Sequence, residues 1–233
     1  QMFSEGQPAV KLANALQTEF GEMRTTILPG LIEAARRNFS RGLTDLAIFE
    51  EGSVFLPAEI IVATGKLPVG NQLPSAAELA TLNATIPAQP SRLAALFTGD
   101  RVNQGVGIAS QAISYQDAIQ AARVAAHAVG LELTVRQASP KGFHPGRSAE
   151  LLVGSSLISV GFAGELDPTL TAANDLPRRV AALEIDLEAL YAAAPEVIQA
   201  GFIGTYPAAT QDLSLVVANE IPAGDIRAVI LEG

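Results

Sequence analysis

The sequence predicts an α+β domain built on a mostly antiparallel sheet, and three observations carry that expectation. Short apolar runs of strand length outnumber long helical patterns along the chain. Neighbouring runs are separated by Gly, Ser and Asp turn residues, as in hairpins. One long capped helical pattern lies between strands and supplies a helix-containing crossover.

The chain opens weakly patterned, with a strand or loop expected around Val10-Lys11-Leu12. Arg24-Thr25-Thr26-Ile27-Leu28-Pro29-Gly30-Leu31 then starts a helix, because Pro29 suits a first turn where its missing N–H is no loss. Ile32, Ala35 and Phe39 recur at helical spacing, with Glu33 and Arg37 placed to pair at i,i+4 and Gly42 as the stop. Arg36, Arg37 and Arg41 read as a solvated face. Leu46 to Phe55 reads as a strand interrupted by a bulge or turn at Gly52, with Glu51 on an exposed side.

Residues 57–90 hold five prolines and little apolar periodicity, and read as an insert between strands. Ser75-Ala76-Ala77-Glu78 is a capping box that starts a short helix to about Leu82. Arg92 to Thr98 alternates as a strand and turns at Gly99-Asp100. Gly105 and Gly107 invite a phosphate-loop reading, but no Lys or Arg follows at useful spacing, so 101–113 reads as a flexible connection. A second capping box, Ser114-Tyr115-Gln116-Asp117, opens the clearest helix, with Tyr115, Ile119, Ala122, Ala126 and Val129 as its apolar stripe. His127 falls on the opposite face with Gln116, Gln120 and Arg123, and reads as a surface histidine; Gly130 ends the helix. Leu131, Leu133 and Val135 alternate with polar residues as a half-buried strand.

The central stretch runs from Lys141 to Pro168. Phe143-His144-Pro145-Gly146-Arg147 reads as a sharp turn: Pro145 fixes φ, Gly146 permits positive φ, and Arg147 is placed to bridge to Glu165. Ala149–Val153 and Leu157–Ala163, joined by Gly154-Ser155-Ser156, form a buried hairpin, which Gly164 to Pro168 closes with another turn. A polar link leads to a strand at Val180–Leu187, with Leu183, Ile185 and Leu187 on one face. Glu184 and Asp186 share the other face, which reads as a solvated or interface face rather than a catalytic carboxylate pair, since no nucleophile or metal partner is nearby. Leu190 to Gly204 reads as a short helix and linker, Asp212–Ala218 as a strand, and the residues up to about Ile230 as a helix.

Composition narrows the function. The 233 residues are 48% hydrophobic and 17% charged, as in a globular chain, and the formal net charge is −9. From Glu184 onward eight acids stand against one base, Arg227. Such a chain is a poor phosphate-backbone ligand by itself, since that needs clustered Lys and Arg. The absence of Cys excludes disulfides and thiolate metal sites, and a zinc site on His127 and His144 would have to lean on carboxylates. No apolar run reaches bilayer length and no signal peptide is seen, so no membrane partner is expected. A start at Gln1 reads as a piece of a longer protein.

The strings RTTILPGL, IFEEGSVF, FHPGRSAELLVG, GFAGELDP, AALEIDL and YPAATQDLSLVV, in this order, resemble the bacterial phenylalanyl-tRNA synthetase beta chain. The resemblance implies a non-catalytic, class II synthetase-like core over 1–204, including the 57–90 insert. It also implies the truncated start of a ferredoxin-like anticodon-binding domain over 205–233. It implies a structural and assembly role in a cytoplasmic ligase of protein biosynthesis, inactive alone. Its partners would be a catalytic alpha subunit, in an alpha2beta2 heterotetramer, and tRNA(Phe) through the complex; ATP and magnesium belong to the holoenzyme, with no cofactor in this piece. Class II enzymes hold ATP with an Arg-x-Glu strand and a Gly-rich strand ending in Arg; neither is found, and Gly161 to Glu165 has the glycines without the arginine. No catalytic or metal residue is therefore expected. Phe143, His144, Pro145, Gly146, Arg147 and Glu165 form the candidate structural turn. Arg24, Pro29, Ile32, Arg36 and Phe39 form the candidate interface, because class II folds pair through the helix and strand that open the core. A different class, a small-molecule hydrolase or transferase using His144, Arg147, Glu165 and Asp167, has acid–base groups but no Cys and no Ser in a nucleophile-elbow setting.

Overall fold

The computed structural model describes residues 3, 9–16, 21–57, 70, 73–200, 204–207 and 209–232. They divide into two compact units, within residues 1–198 and 199–233.

The first unit is a six-stranded sheet with helices on both faces. In chain order its elements are α1 (Leu28–Phe39), β1 (Leu46–Ser53), α2 (Ala76–Asn83), β2 (Ser91–Thr98), β3 (Asp100–Val102), β4 (Gln111–Ala112) and α3 (Tyr115–Ala128). Then come β5 (Leu133–Gln137), β6 (Phe143–Val153), β7 (Ile158–Leu166), α4 (Pro168–Ala173), β8 (Val180–Asp186) and α5 (Leu187–Ala193). The strand order is β1-β2-β8-β7-β6-β5, with every neighbouring pair antiparallel. β3 and β4 make a separate two-stranded ribbon. Before α1, the Leu12 amide donates to the Gly21 carbonyl and the Met23 amide to that of Val10.

The centre of the sheet is buried on both faces, because alternate residues of β2 and β8 feed two cores. Ala95, Leu183 and Ile185 meet α3 and α5 through Ala118, Ala122, Ala126, Leu187 and Leu190. Ala94, Leu96, Val180 and Ala182 meet α1 through Leu28, Leu31, Ile32 and Ala35. Small Ala residues on α3 let that helix sit close to the strands, where larger side chains would hold it away. β1 and β5 are the edges: β1 alternates between half-buried and exposed, with Glu51 facing solvent, whereas β5 is exposed throughout after Leu133, so Val135 faces solvent and the expected half-buried alternation does not hold there. His127 is exposed, and Gly130, at φ 76, closes the turn after α3.

Several expectations are corrected. Gly52 is no bulge: β1 runs through it in unbroken register opposite Arg92, and the missing Cβ leaves room for the Arg24 guanidinium. Glu33 pairs with Arg36 at i,i+3, not with Arg37. The stretch 101–113 is a hairpin, not a loose connection, closed where Gly105 and Ile108 exchange backbone bonds. The polar link after Asp167 contains α4, with Asp167 as its cap and Pro168 in its first turn. α5 begins at Leu187, where the sequence suggested the last residue of a strand. Most of the 57–90 insert lies outside the described residues, but α2 has the expected capping box on Ser75 and Glu78.

The second unit contains α6 (Ala223–Glu232). Asp212–Ala218 is not a strand: it has no ladder partner among the described residues, and Leu213, Leu215, Val216 and Val217 are exposed. Its alternation satisfies the local pattern, yet a strand exists only when another offers N–H and C=O groups. No helix among the described residues is long and apolar enough to cross a membrane.

Candidate functional site

Phe143 to Arg147 belongs to β6 and leaves the regular ladder. Phe143 pairs with Leu166 and Ser148 with Gly164, so β6 advances five residues while β7 retreats two. Three extra residues therefore bow out of the sheet as a wide bulge. Phe143 anchors its start, buried in the α1-side core and edge-on to Phe3 at 6.0 Å. Ser148, also buried, directs its hydroxyl at the carbonyls of Ala138 and His144, both 2.7 Å away. Ser139 Oγ donates to the Pro145 carbonyl at 2.8 Å, pinning the crest from the preceding loop. The expected positive φ is at Gly142 (φ 86), which turns the chain before Phe143, and not at Gly146.

Each chemically loaded side chain in this region already has a partner. Arg147 Nη1 donates to Glu165 Oε2 at 2.6 Å, and Glu165 is only 5% exposed. The Gly146 N–H donates to His144 Nδ1 at 3.0 Å, so that nitrogen acts as an acceptor. Asp167 accepts from the Thr169 amide at 2.7 Å and the Thr169 hydroxyl at 2.6 Å. The Thr169 hydroxyl, then the Thr169 and Leu170 amides and, last, the nearby His144, hold the Asp167 carboxyl below its ordinary value. A general base needs a free lone pair aimed at a substrate proton. His144 Nδ1 is taken by the Gly146 amide, Glu165 Oε2 and Asp167 Oδ1 are committed to Arg147 and Thr169, and Ser148 is held to two carbonyls. The bonds that His144, Arg147, Glu165 and Asp167 make are those of a braced turn, and Ser148, the hydroxyl beside them, is directed at backbone carbonyls.

The second cluster, around Glu184, differs from the solvated or interface face that the sequence predicts. Glu184 is not on a solvated face: it is 7% exposed. Its Oε2 accepts from the Thr26 hydroxyl, from Ile27 N at 3.0 Å and from Leu28 N at 3.4 Å. Its Oε1 takes Arg92 Nη1 at 3.2 Å. An unpaired carboxylate at such depth costs several kcal/mol; four donors, one of them cationic, offset that. Asp186 also caps a helix, accepting from Ala189 N at 3.0 Å, while Arg92 Nη2 lies 3.7 Å away. No signal near Glu184 in sequence announces its role, because Thr26, Ile27 and Leu28 lie more than 150 positions earlier and Arg92 lies 92 earlier. The one hint was local: α1 has Ile27 at its N-cap and no acid in its first turn, so its amides need a partner from elsewhere.

The candidate interface residues divide. Arg24, Pro29 and Arg36 are exposed, and Phe39 is half-buried. Ile32 is 2% exposed and packs in the module's own core, so its side chain is not presented to a partner. Arg24 Nε donates to the Ser53 carbonyl at 2.9 Å and its guanidinium pairs with Glu50, fastening the approach to α1 onto the edge strand.

The glycines of β7 are filled by protein. A Cβ on Gly161 would stand 2.0 Å from the Glu184 carbonyl oxygen, and one on Gly164 would stand 2.4 Å from that of Arg147. Their missing side chains admit the neighbouring strands and leave no cradle for a phosphate. Among the described residues no cluster of three His, Asp or Glu is placed to hold a metal ion.

The phenylalanyl tRNA synthetase beta chain CLM domain matches residues 1–187. The phenylalanine–tRNA ligase beta subunit of Leifsonia xyli subsp. xyli is 48% identical over 98% of this chain and 27% of its own length. That of Thermobifida fusca is 43% identical over 97% of this chain and, again, 27% of its own. The chain thus spans about a quarter of the length of these relatives. Among solved structures, pyrrolysyl-tRNA synthetase from Desulfitobacterium hafniense overlaps 72% of this chain and 48% of its own, at 16% identity and a TM-score of 0.44. With the domain matched from residue 1 to 187 and these identities along nearly its whole length, the chain belongs to the phenylalanyl-tRNA synthetase beta chain family.

Proposed function

We propose that this chain is a structural and subunit-assembly module of a phenylalanine–tRNA ligase beta subunit. In this reading residues 1–204 form a class II synthetase-like core, non-catalytic by itself. It supports a catalytic alpha subunit, in an alpha2beta2 heterotetramer, in the ATP-dependent aminoacylation of tRNA(Phe) in the cytoplasm. Residues 205–233 begin a ferredoxin-like domain. The turn from Phe143 to Arg147, with Glu165, is architectural. The exposed side of α1, with Arg24, Pro29 and Arg36, is the docking face.

One observation carries the non-catalytic reading: the polar groups at the centre of the sheet are committed to the module itself. Adenylate chemistry needs fixed cations aimed at developing phosphate charge. Here Arg92 and Arg147 each face carboxylates, and Gly161 and Gly164 face backbone. The residues present do not fit ATP, so ATP and magnesium are assigned to the alpha subunit. The test is amino-acid-dependent ATP–pyrophosphate exchange. The beta subunit free of alpha is expected to show none, and the assembled complex to show it with phenylalanine. Robust exchange by the beta subunit alone overturns the proposal.

A further inference from the structure

We infer that Glu184 sets the pose of α1, and that pairing of this module with its partner subunit depends on that carboxylate; the inference rests on the docking face proposed above. The N-cap residue of α1, Ile27, has no capping side chain; the Leu28 amide reaches Thr26 Oγ1 at 3.3 Å, and the Ile27 and Leu28 amides and the Thr26 hydroxyl itself converge on one oxygen of a residue from β8. A carboxylate at this end also meets the positive pole of the helix, so charge and hydrogen bonds act together. The other oxygen holds Arg92, which also lies against Asp186, the cap of α5. One guanidinium thus links the carboxylates that cap α1 and α5, whose apolar faces enter the two different cores.

The remaining side-chain anchors of α1 on the sheet are Leu28, Leu31, Ile32 and Ala35. Apolar contact is non-directional, so it holds the helix down without fixing its position along the sheet. The bonds to Glu184 are directional and fix it. Without the carboxylate the buried Ile27 amide loses its acceptor, the Leu28 amide keeps only Thr26 Oγ1 and Arg92 only Asp186, and a small displacement of α1 is the relief open to them. Pro29 and Arg36 lie on the exposed side of the same helix and would move with it.

The experiment uses the full-length beta subunit, with pairing to alpha measured by sedimentation at a temperature where both subunits are fully folded. Hydrogen exchange along 26–32 and along β6–β7 reports pose and fold separately. Glu184→Ala is expected to weaken pairing roughly tenfold, with faster exchange along 26–32 and unchanged exchange in β6–β7. Glu184→Gln keeps an acceptor oxygen for the amides and is expected to recover most of the loss; should the Ala variant not fold, Thr26→Val, which removes the hydroxyl bonded to the same oxygen, is expected to weaken pairing in the same direction with faster exchange along 26–32. Arg36→Glu tests the docking face itself and is expected to weaken pairing without altering exchange along 26–32. Normal pairing by Glu184→Ala, or by Thr26→Val in its place, with weakened pairing by Arg36→Glu, overturns this inference alone. Normal pairing by Arg36→Glu as well removes the docking face on which it rests. Unchanged exchange along 26–32 in Glu184→Ala overturns the claim that the carboxylate sets the pose.

Discussion

Gly161 and Gly146 lie in the two strands of one hairpin, yet their missing side chains have opposite meanings. Gly161 sits at φ 151, beside a second irregularity in which β7 advances two residues, from 159 to 161, against one on β6. A Cβ there meets the β8 backbone, which cannot withdraw without opening the sheet. Gly161→Ala is expected to cost about 3 kcal/mol in urea unfolding, whereas Gly146→Ala should stay within about 0.5 kcal/mol. The nearest atom to a Cβ on Gly146 is His144 Cε1 at 3.7 Å, an ordinary contact. Equal costs at the two positions would refute this account of both. Asp167 gives a residue-level pH dependence. Its carboxyl is held below the ordinary value of 3.8, first by the Thr169 hydroxyl, so it favours the fold while ionised. That contribution is complete above the unfolded value and is lost as pH falls below about 4 toward the lower folded one. Thr169→Val is expected to bring the carboxyl titration, followed by NMR, back toward its ordinary value. An unmoved titration would show that the hydroxyl is not the main cause.

At the scale of elements, what was legible in the sequence was what is decided locally. Both capping boxes were readable because cap and acceptor lie three residues apart, and in the structure Ser114 and Asp117 cap α3 reciprocally. Ser114→Ala is expected to destabilise the chain by about 1 kcal/mol, measured as a shift in the urea midpoint; no shift would mean that tertiary packing alone starts this helix. The central hairpin was readable for the same reason, since Gly154 at its turn is at φ 71 between two apolar runs. β8 was readable as a strand but not in its polarity. Carboxylates are seldom buried, so Glu184 was assigned to water, whereas α1 supplies the donors that make burial possible. Phe143 to Arg147 was read as a turn because Pro and Gly signal a break in pattern. Whether that break ends a strand or bows one depends on the partner strand, which pairs on both sides of it.

At the scale of the whole chain, the two cores draw only on the first unit. Among the described residues, no side chain beyond Ala194 enters either of them. The stretch Asp212–Ala218 satisfied the local rule for a strand and failed the non-local one, and its apolar side chains are exposed. Unpaired backbone beside apolar side chains is a template for contact with another molecule. These two facts give opposing expectations for a chain ending at Ile198. Its unfolding free energy in urea should match that of the full chain within about 0.5 kcal/mol, because nothing is taken from either core. Its self-association, measured by sedimentation over a concentration series, should fall, because Leu213, Leu215 and Val217 are removed. Ile198 itself must be kept, since it packs over Gly130, where a Cβ would stand 2.8 Å from its Cγ1. A large loss of stability in the shortened chain would show that residues 199–233 support the sheet, and would shift the limit of the folded module past 198.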